Sequence, residues 1–259
     1  MTDYPSSIGT SDERSITLLG RDLAGELMGQ IGFGELAFWL VAMRRPSPGE
    51  LRMFETVLVT LADHGFTPTA IAARLTLASA PESTQGALAA GLLGGGSRFL
   101  GVTEDAGAFL TDALAGHETP TTDAAYDDLA RTAIETCRAR GAFVPGLGHP
   151  VHKNGDPRTP VLIRIADESG VHGPHLRLFE ALGRVHPAIL GRTLPLNGAG
   201  VCGAALCDLG FGVDTLRGFA LLARTAGLLG HLAEERRRPI GLDIYHDVDG
   251  AMDYRPPAT

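Results

Sequence analysis

From Leu23 onward the apolar residues of this chain recur at three- and four-residue spacing, and runs that alternate apolar with polar residues are nearly absent. That period belongs to the helix, because side chains three and four apart share one face. The chain is therefore expected to be all-α. Residues 21–45 carry Leu23, Leu27, Met28 and Ile31, then Leu36, Phe38, Trp39 and Val41, and read as two short helices broken at Gly32 and Gly34. Residues 50–63 place Leu51, Phe54, Val57, Leu58 and Leu61 on one face, behind the start signal Ser47-Pro48. Residues 68–80 and 84–93 are rich in Ala and Leu and read as inner helices packed through small side chains.

The cluster Gly94-Gly95-Gly96 interrupts the pattern. No strand precedes it and the GxGxxG order is missing, so it is not a dinucleotide fingerprint. Helical spacing continues over 103–115, 123–140, 161–167, 175–182, 201–209 and 215–236. The tail from Arg237 is expected to be mostly extended, with Pro239 marking the break. Most of the 34 glycines fall at the ends of these stretches. The first twenty residues are polar, lack the order of a secretory leader, and are expected to form an arm.

The formal charge of −8 gives no long-range attraction to nucleic acid or to an anionic membrane surface. No run reaches the roughly 18 apolar residues of a membrane span. The three cysteines, Cys137, Cys202 and Cys207, form no CxxC pair and no even disulfide framework, which suits a reducing cytoplasm and small buried side chains. No metal site is expected. A phosphate-bearing ligand would have to meet a local basic patch, and one segment offers it.

Between residues 141 and 160 the periodicity stops. Gly146-Leu147-Gly148-His149-Pro150-Val151-His152-Lys153-Asn154-Gly155-Asp156-Pro157-Arg158 combines glycines, which let backbone amides approach a ligand, with the positive groups of His152, Lys153 and Arg158. Lys153 is the only lysine in the chain. Composition alone also allows an ordinary solvated surface loop.

The order Gly-x-Gly-His-x-Val-x-Lys-Asn-x-Asp-Pro-Arg resembles the small-domain loop of the citrate synthase family, in its citryl-CoA lyase branch, like the C-terminal citryl-CoA lyase part of ATP-citrate lyase. The resemblance covers roughly residues 20–256. It implies a catalytic His149, with Gly146, Gly148, His152, Lys153, Asn154 and Arg158 around coenzyme A. Leu61-Ala62-Asp63-His64-Gly65 resembles the family turn whose histidine binds the hydroxy-tricarboxylate, which makes His64 the second catalytic candidate. Taken alone, that turn is a helix cap with a solvated histidine. Ser97-Arg98-Phe99 resembles the lyase branch, where phenylalanine stands at a synthase histidine. Ala223-Arg224-Thr225-Ala226-Gly227 with Gly230-His231 resembles the final family helix, whose arginine holds a substrate carboxylate. An arginine set among apolar residues needs a partner in any case.

The resemblance further implies a citrate-synthase-like homodimer, with a large lobe over 21–109 and 206–259 and a small lobe over 110–205 that carries the CoA-binding loop. The substrate would be a coenzyme A thioester, and the partner molecules an acyl-CoA and a small carboxylate. No glycine-rich ATP-binding portion precedes residue 20, so no citrate-activating half is expected.

Two residues depart from the family pattern. Where the family reads Asn-Val-Asp-Gly and its aspartate moves the α-proton of the acyl unit, this chain reads Asn197-Gly198-Ala199-Gly200. Pro150 replaces an arginine after the loop histidine. General acid–base catalysis typically contributes 10²–10⁴-fold, so Ala199 should weaken the family reaction. Two readings stay open: a carbon–carbon lyase, or the reverse condensation, acting on a hydroxyacyl-CoA other than citryl-CoA; and an impaired homologue that binds CoA esters or a protein partner without turnover. A single deliberate replacement at 199 is disfavoured because Gly198 departs as well. Asn197 and Phe99 join Arg224 and Ala199 as candidate substrate contacts.

Overall fold

The computed structural model describes residues 3–257. Among them, eleven α-helices carry the fold: α1 (Phe33–Ala42), α2 (Pro48–Ala62), α3 (Pro68–Ser79), α4 (Thr84–Leu93), α5 (Val102–Leu114), α6 (Asp123–Ala139), α7 (Arg158–Glu168), α8 (Pro174–Leu190), α9 (Gly198–Asp208), α10 (Val213–Arg237) and α11 (Gly241–Gly250). The helical expectation holds for the body of the chain. It needs correcting at the start, where β1 (Gly9–Ser11), β2 (Ile16–Leu18) and β3 (Arg21–Asp22) form a small antiparallel meander, with Thr10 opposite Thr17 and Thr17 opposite Asp22.

Helix starts follow local chemistry. Ser47 and Glu50 close a capping box at α2, and Thr67, Ser83, Thr122 and Asn197 each accept a backbone N–H at the start of α3, α4, α6 and α9. Four boundaries differ from the expectation. Residues 21–32 hold β3 and a single π-helical turn, Leu23–Leu27, rather than a helix, and Gly34 lies inside α1 instead of breaking it. At Gly34 the Glu55 side chain of the neighbouring α2 takes the side-chain space, since a Cβ would fall 2.6 Å from Glu55 Cγ. The loop ends at Pro157, three residues early, since α7 begins at Arg158. α8 runs past Pro187 and stops at Gly191 in the left-handed region.

The largest correction is α11, in a tail expected to be extended. Its first N–H groups, those of Ile240 and Gly241, are taken by Glu235 Oε1 of α10 at 2.9 and 2.7 Å. Gly241 also packs where a Cβ would stand 2.6 Å from Ala78 of α3. A cap supplied by another helix leaves no local signature.

The main core is a contiguous cluster running from α1 and α2 through α5, α6, α7, α8, α9 and α10, and a second, smaller one joins Ala70, Ala73 and Leu77 of α3, Ala87 of α4, and Leu228 and Leu232 of α10. In the main core Phe38, Phe54, Phe211 and Phe219 meet with centroids 4.5–5.7 Å apart, four of the five contacts T-shaped or edge-on within the range favoured by aromatic pairs. α5 and α9 approach through glycine: a Cβ on Gly203 would lie 2.1 Å from Thr103 O. This close seam sets the first turn of α5 against the second turn of α9, and the starts of both helices border the site.

Candidate functional site

A cleft of about 770 Å³ opens between the α2–α3 turn, the start of α5, the Gly146–Val151 loop, the start of α9 and the middle of α10. His64, Phe99, Gly146, Gly148, His149, Arg158, Asn197, Ala199 and Arg224 all line it. Nine of the twelve candidate residues, scattered over 160 positions of sequence, thus share one concavity. His152 stands just behind, its ring centroid 4.5 Å from His149 and 5.8 Å from His64. Lys153 and Asn154 are exposed and lie outside this lining.

The loop is strapped to the start of α9. Gly148 N–H donates to Pro195 O at 2.7 Å, Asn197 N–H to Gly146 O at 2.9 Å, and Asn197 Nδ2 to Gly148 O at 2.8 Å. Gly146 and Gly148 adopt φ of +84° and +88°, the left-handed region that side-chain-bearing residues avoid. Asn197 Oδ1 also caps Gly200 N–H, so one side chain holds both the loop and the helix.

Arg158 explains one departure from the family pattern. Its guanidinium pairs with Asp156 through Nε and Nη2 at 2.9 and 2.7 Å, and it lies across Gly198, where a Cβ would come within 2.6 Å of Nε. Position 198 is glycine because the arginine occupies the side-chain space. Burial alone would raise the Asp156 pKa. The guanidinium and the N–H groups of Gly198 and Arg158 outweigh it and hold the carboxyl well below its ordinary range.

His149 has an assigned tautomer in its neutral form. Its Nδ1 accepts the N–H groups of Val151 and His152 at 3.1 and 3.0 Å, which leaves the proton on Nε2. Burial first, then the neighbouring His152, lowers its pKa and favours that neutral ring, and Asp156 opposes them. The nitrogens of His64, His149 and His152 lie within 4.8 Å of one another. A tetrahedral metal would need nitrogens about 3.4 Å apart and a lone pair on each. His149 could supply one only by giving up both backbone bonds, so the cluster suits hydrogen bonding better than metal capture.

His64 is exposed at the mouth, and its turn is anchored from below. Asp63 accepts Gly65 N–H at 2.9 Å and His231 Nε2–H at 2.9 Å. His231 Nδ1 in turn accepts Arg74 Nε–H at 3.1 Å, which requires the Nε2–H tautomer. Arg74, only 1 % exposed, completes the network on Glu235 Oε2 at 3.0 Å and on Glu234. Sequence reasoning singled out His231 only as part of a motif and missed Arg74. A lone arginine in an Ala- and Leu-rich helix was the available signal.

Arg224 is 5 % exposed. Its bonds go to Thr67 Oγ1 at 3.3 Å and Leu61 O at 3.4 Å, both neutral. Burial lowers its pKa, only partly opposed by Asp63, so the site holds a cation in want of an anion. Arg98, Thr103 and Asp105 also line the cleft and were not anticipated as site residues. Burial raises the pKa of Asp105. Cys202 is fully enclosed behind the site and burial pushes its thiol up to about 12, which makes it inert filling.

Residues 23–241 match the family described as citrate synthase, C-terminal domain. This chain belongs to the citrate synthase family. It resembles the citryl-CoA lyase of Hydrogenobacter thermophilus over nearly its whole length, with a TM-score of 0.83, 28 % identity, and 99 % of this chain and 96 % of that one covered. It also resembles the rice ATP-citrate synthase beta chain protein 1, at 28 % identity over 230 residues that cover 81 % of this chain and 36 % of that protein. The ATP citrate lyase of Methanothrix soehngenii, solved with citrate and coenzyme A, shares the fold at TM-score 0.79 and 22 % identity, covering 100 % of this chain and 42 % of that one. The chain thus spans about a third of the curated relatives it matches. No helix among the described residues is long and apolar enough to cross a membrane.

Proposed function

We propose that this protein is a carbon–carbon lyase, or catalyst of the reverse condensation, acting on a hydroxyacyl-CoA thioester that differs from citryl-CoA. The observation that carries the proposal is the convergence of His64, His149, Asn197 and Arg224 with Gly146–Val151 and Arg158 of the loop on one cleft. His149 donates Nε2–H to the oxygen on the cleaving carbon. Arg224, with His64, holds carboxylate. When the bond breaks, its electron pair stays on the CoA side as an enolate, the hydroxyl oxygen becomes a carbonyl, and its proton passes to His64 or to water. The loop, with His152, Lys153, Asn154 and Arg158, receives coenzyme A. With Ala199 on the first turn of α9, no carboxylate at that position reprotonates the enolate, so the proton that completes the released thioester comes from water or from the His64 that took the hydroxyl proton.

In this proposal the cleft closes between a lobe of residues 21–109 and 206–259 and a lobe of 110–205, behind an arm of 1–20. The chain works as a cytoplasmic homodimer. Exposed Leu242, Tyr245 and Val248, at three-residue spacing on α11, supply an apolar face that a second copy would cover.

Incubation with citryl-CoA and a panel of 3-hydroxyacyl-CoAs, following release of the shorter thioester, tests the activity. Cleavage of a panel member supports the lyase. Binding of CoA esters with no thioester changed supports the second reading, a homologue that binds without turnover, which Ala199 favours. The variant Ala199→Asp separates the two further: gain of citryl-CoA cleavage by about 10²-fold or more shows an otherwise intact site, and no gain shows a pocket rebuilt for another ligand.

A further inference from the structure

Four buried side-chain atoms lack a hydrogen-bond partner among the described residues: Thr103 Oγ1, Arg224 Nε, His172 Nε2 and Arg217 Nε. The last two face carboxylates, Glu180 at 2.8 Å and Glu104 at 2.5 Å. Thr103 and Arg224 are left, and both line the same cleft. Buried polar groups in native proteins are nearly always satisfied, so two orphans converging on one concavity ask for a ligand.

Thr103 carries the one buried threonine hydroxyl without a partner among the described residues. Thr56, Thr60, Thr76, Thr132, Thr136 and Thr225 each donate the hydroxyl to the carbonyl four residues back, at 2.7–3.1 Å. Thr103 sits on the first turn of α5, 1 % exposed, and makes no such bond. The backbone of Thr103 lies tight against α9, where a Cβ on Gly203 would fall 2.1 Å from Thr103 O. Opposite, Ala199 offers the cleft a methyl group and no acceptor.

Charge narrows the ligand further. The ionisable groups lining the cleft are His64, Arg98, Asp105, His149, Arg158 and Arg224. Arg158 is neutralised by Asp156, whereas no carboxylate lies within 4 Å of Arg98 or Arg224 among the described residues. The occupant therefore brings negative charge and an oxygen within reach of a hydroxyl.

We propose that Thr103 is a specificity-determining residue: its hydroxyl and Arg224 Nε form a two-point subsite for an acyl group that carries a carboxylate and a further oxygen. This rests on the reading that Arg224 faces the acyl end of the substrate, and it adds the residue that selects among carboxylated acyl groups.

The test uses the full chain with citrate, malate, citryl-CoA and free CoA as separate probes in calorimetric titrations of wild type, Thr103→Val and Thr103→Ser. Removing an orphaned hydroxyl by a near-isosteric change is expected to hold or raise Tm by about 2–4 °C. At least one carboxylate probe should bind wild type and lose about 10- to 100-fold in affinity to Thr103→Val, with CoA affinity unchanged and Thr103→Ser within about 3-fold of wild type. Carboxylate binding that needs Thr103 in a protein that ignores CoA and its thioester keeps this subsite and removes the thioester assignment. Equal carboxylate affinity in wild type and Thr103→Val overturns the subsite. So does a fall in Tm with loss of every ligand, which marks a structural hydroxyl, and so does the absence of any carboxylate binding by wild type.

Discussion

Replacing Arg74 by methionine tests whether the cleft mouth depends on the buried network beneath it. Arg74 is 1 % and Glu235 4 % exposed, and the pair is joined at 3.0 Å. Methionine keeps much of the volume but leaves the Glu235 carboxylate without its cation. Its other oxygen still accepts the N–H groups of Ile240 and Gly241, so part of the loss is compensated. Removing one partner of a buried pair costs about 3–5 kcal/mol. For a chain of this size that lowers Tm by roughly 6–20 °C. Urea unfolding of Arg74→Met should show a lower midpoint at unchanged slope, set beside Arg52→Met as a surface control. Arg52 pairs with Glu168, the two 48 % and 41 % exposed, and its loss should cost under about 1 kcal/mol. Hydrogen exchange should quicken at residues 63–66 and over α11 in the first variant only. If Arg74→Met unfolds at the same midpoint as Arg52→Met, the network carries no stability and the anchoring of the His64 turn through His231 and Asp63 is refuted.

Two other perturbations follow from the same geometry. His172 lies between Glu180 and Asp167, which raise its pKa to about 9, the Glu180 bond foremost and burial opposing. Its folded value exceeds the unfolded one near 6.5, so the stabilisation is complete below pH 6.5 and is lost as pH rises through about 9. The loss should be on the order of 1–2 kcal/mol, less than full linkage because Asp167 is 61 % exposed, and His172→Gln should flatten the stability profile across that window. Gly198→Val places a Cβ 2.6 Å from Arg158 Nε and must displace the guanidinium from Asp156. A cost of about 1–3 kcal/mol is expected, with faster proteolysis or exchange over 149–158, and an unchanged Tm would show that Arg158 does not rest there.

Periodicity alone determined the helical body, since three- and four-residue apolar spacing admits few other folds, and the caps at Ser47, Thr67 and Thr122 are local chemistry written in adjacent residues. Motif order was enough to name His64, His149, Asn197 and Arg224 before their convergence was visible. What sequence could not supply depended on contacts between distant segments. α11 is a helix because Glu235 caps it from α10, Gly198 is glycine because Arg158 lies across it, and the first turn of α5 meets α9 closely because position 203 is glycine. The tautomer of His231 follows from Arg74, 157 residues away. Local propensity reads only the chain's own neighbours, whereas the satisfaction of a buried donor or charge is decided by whichever atoms tertiary packing brings to it.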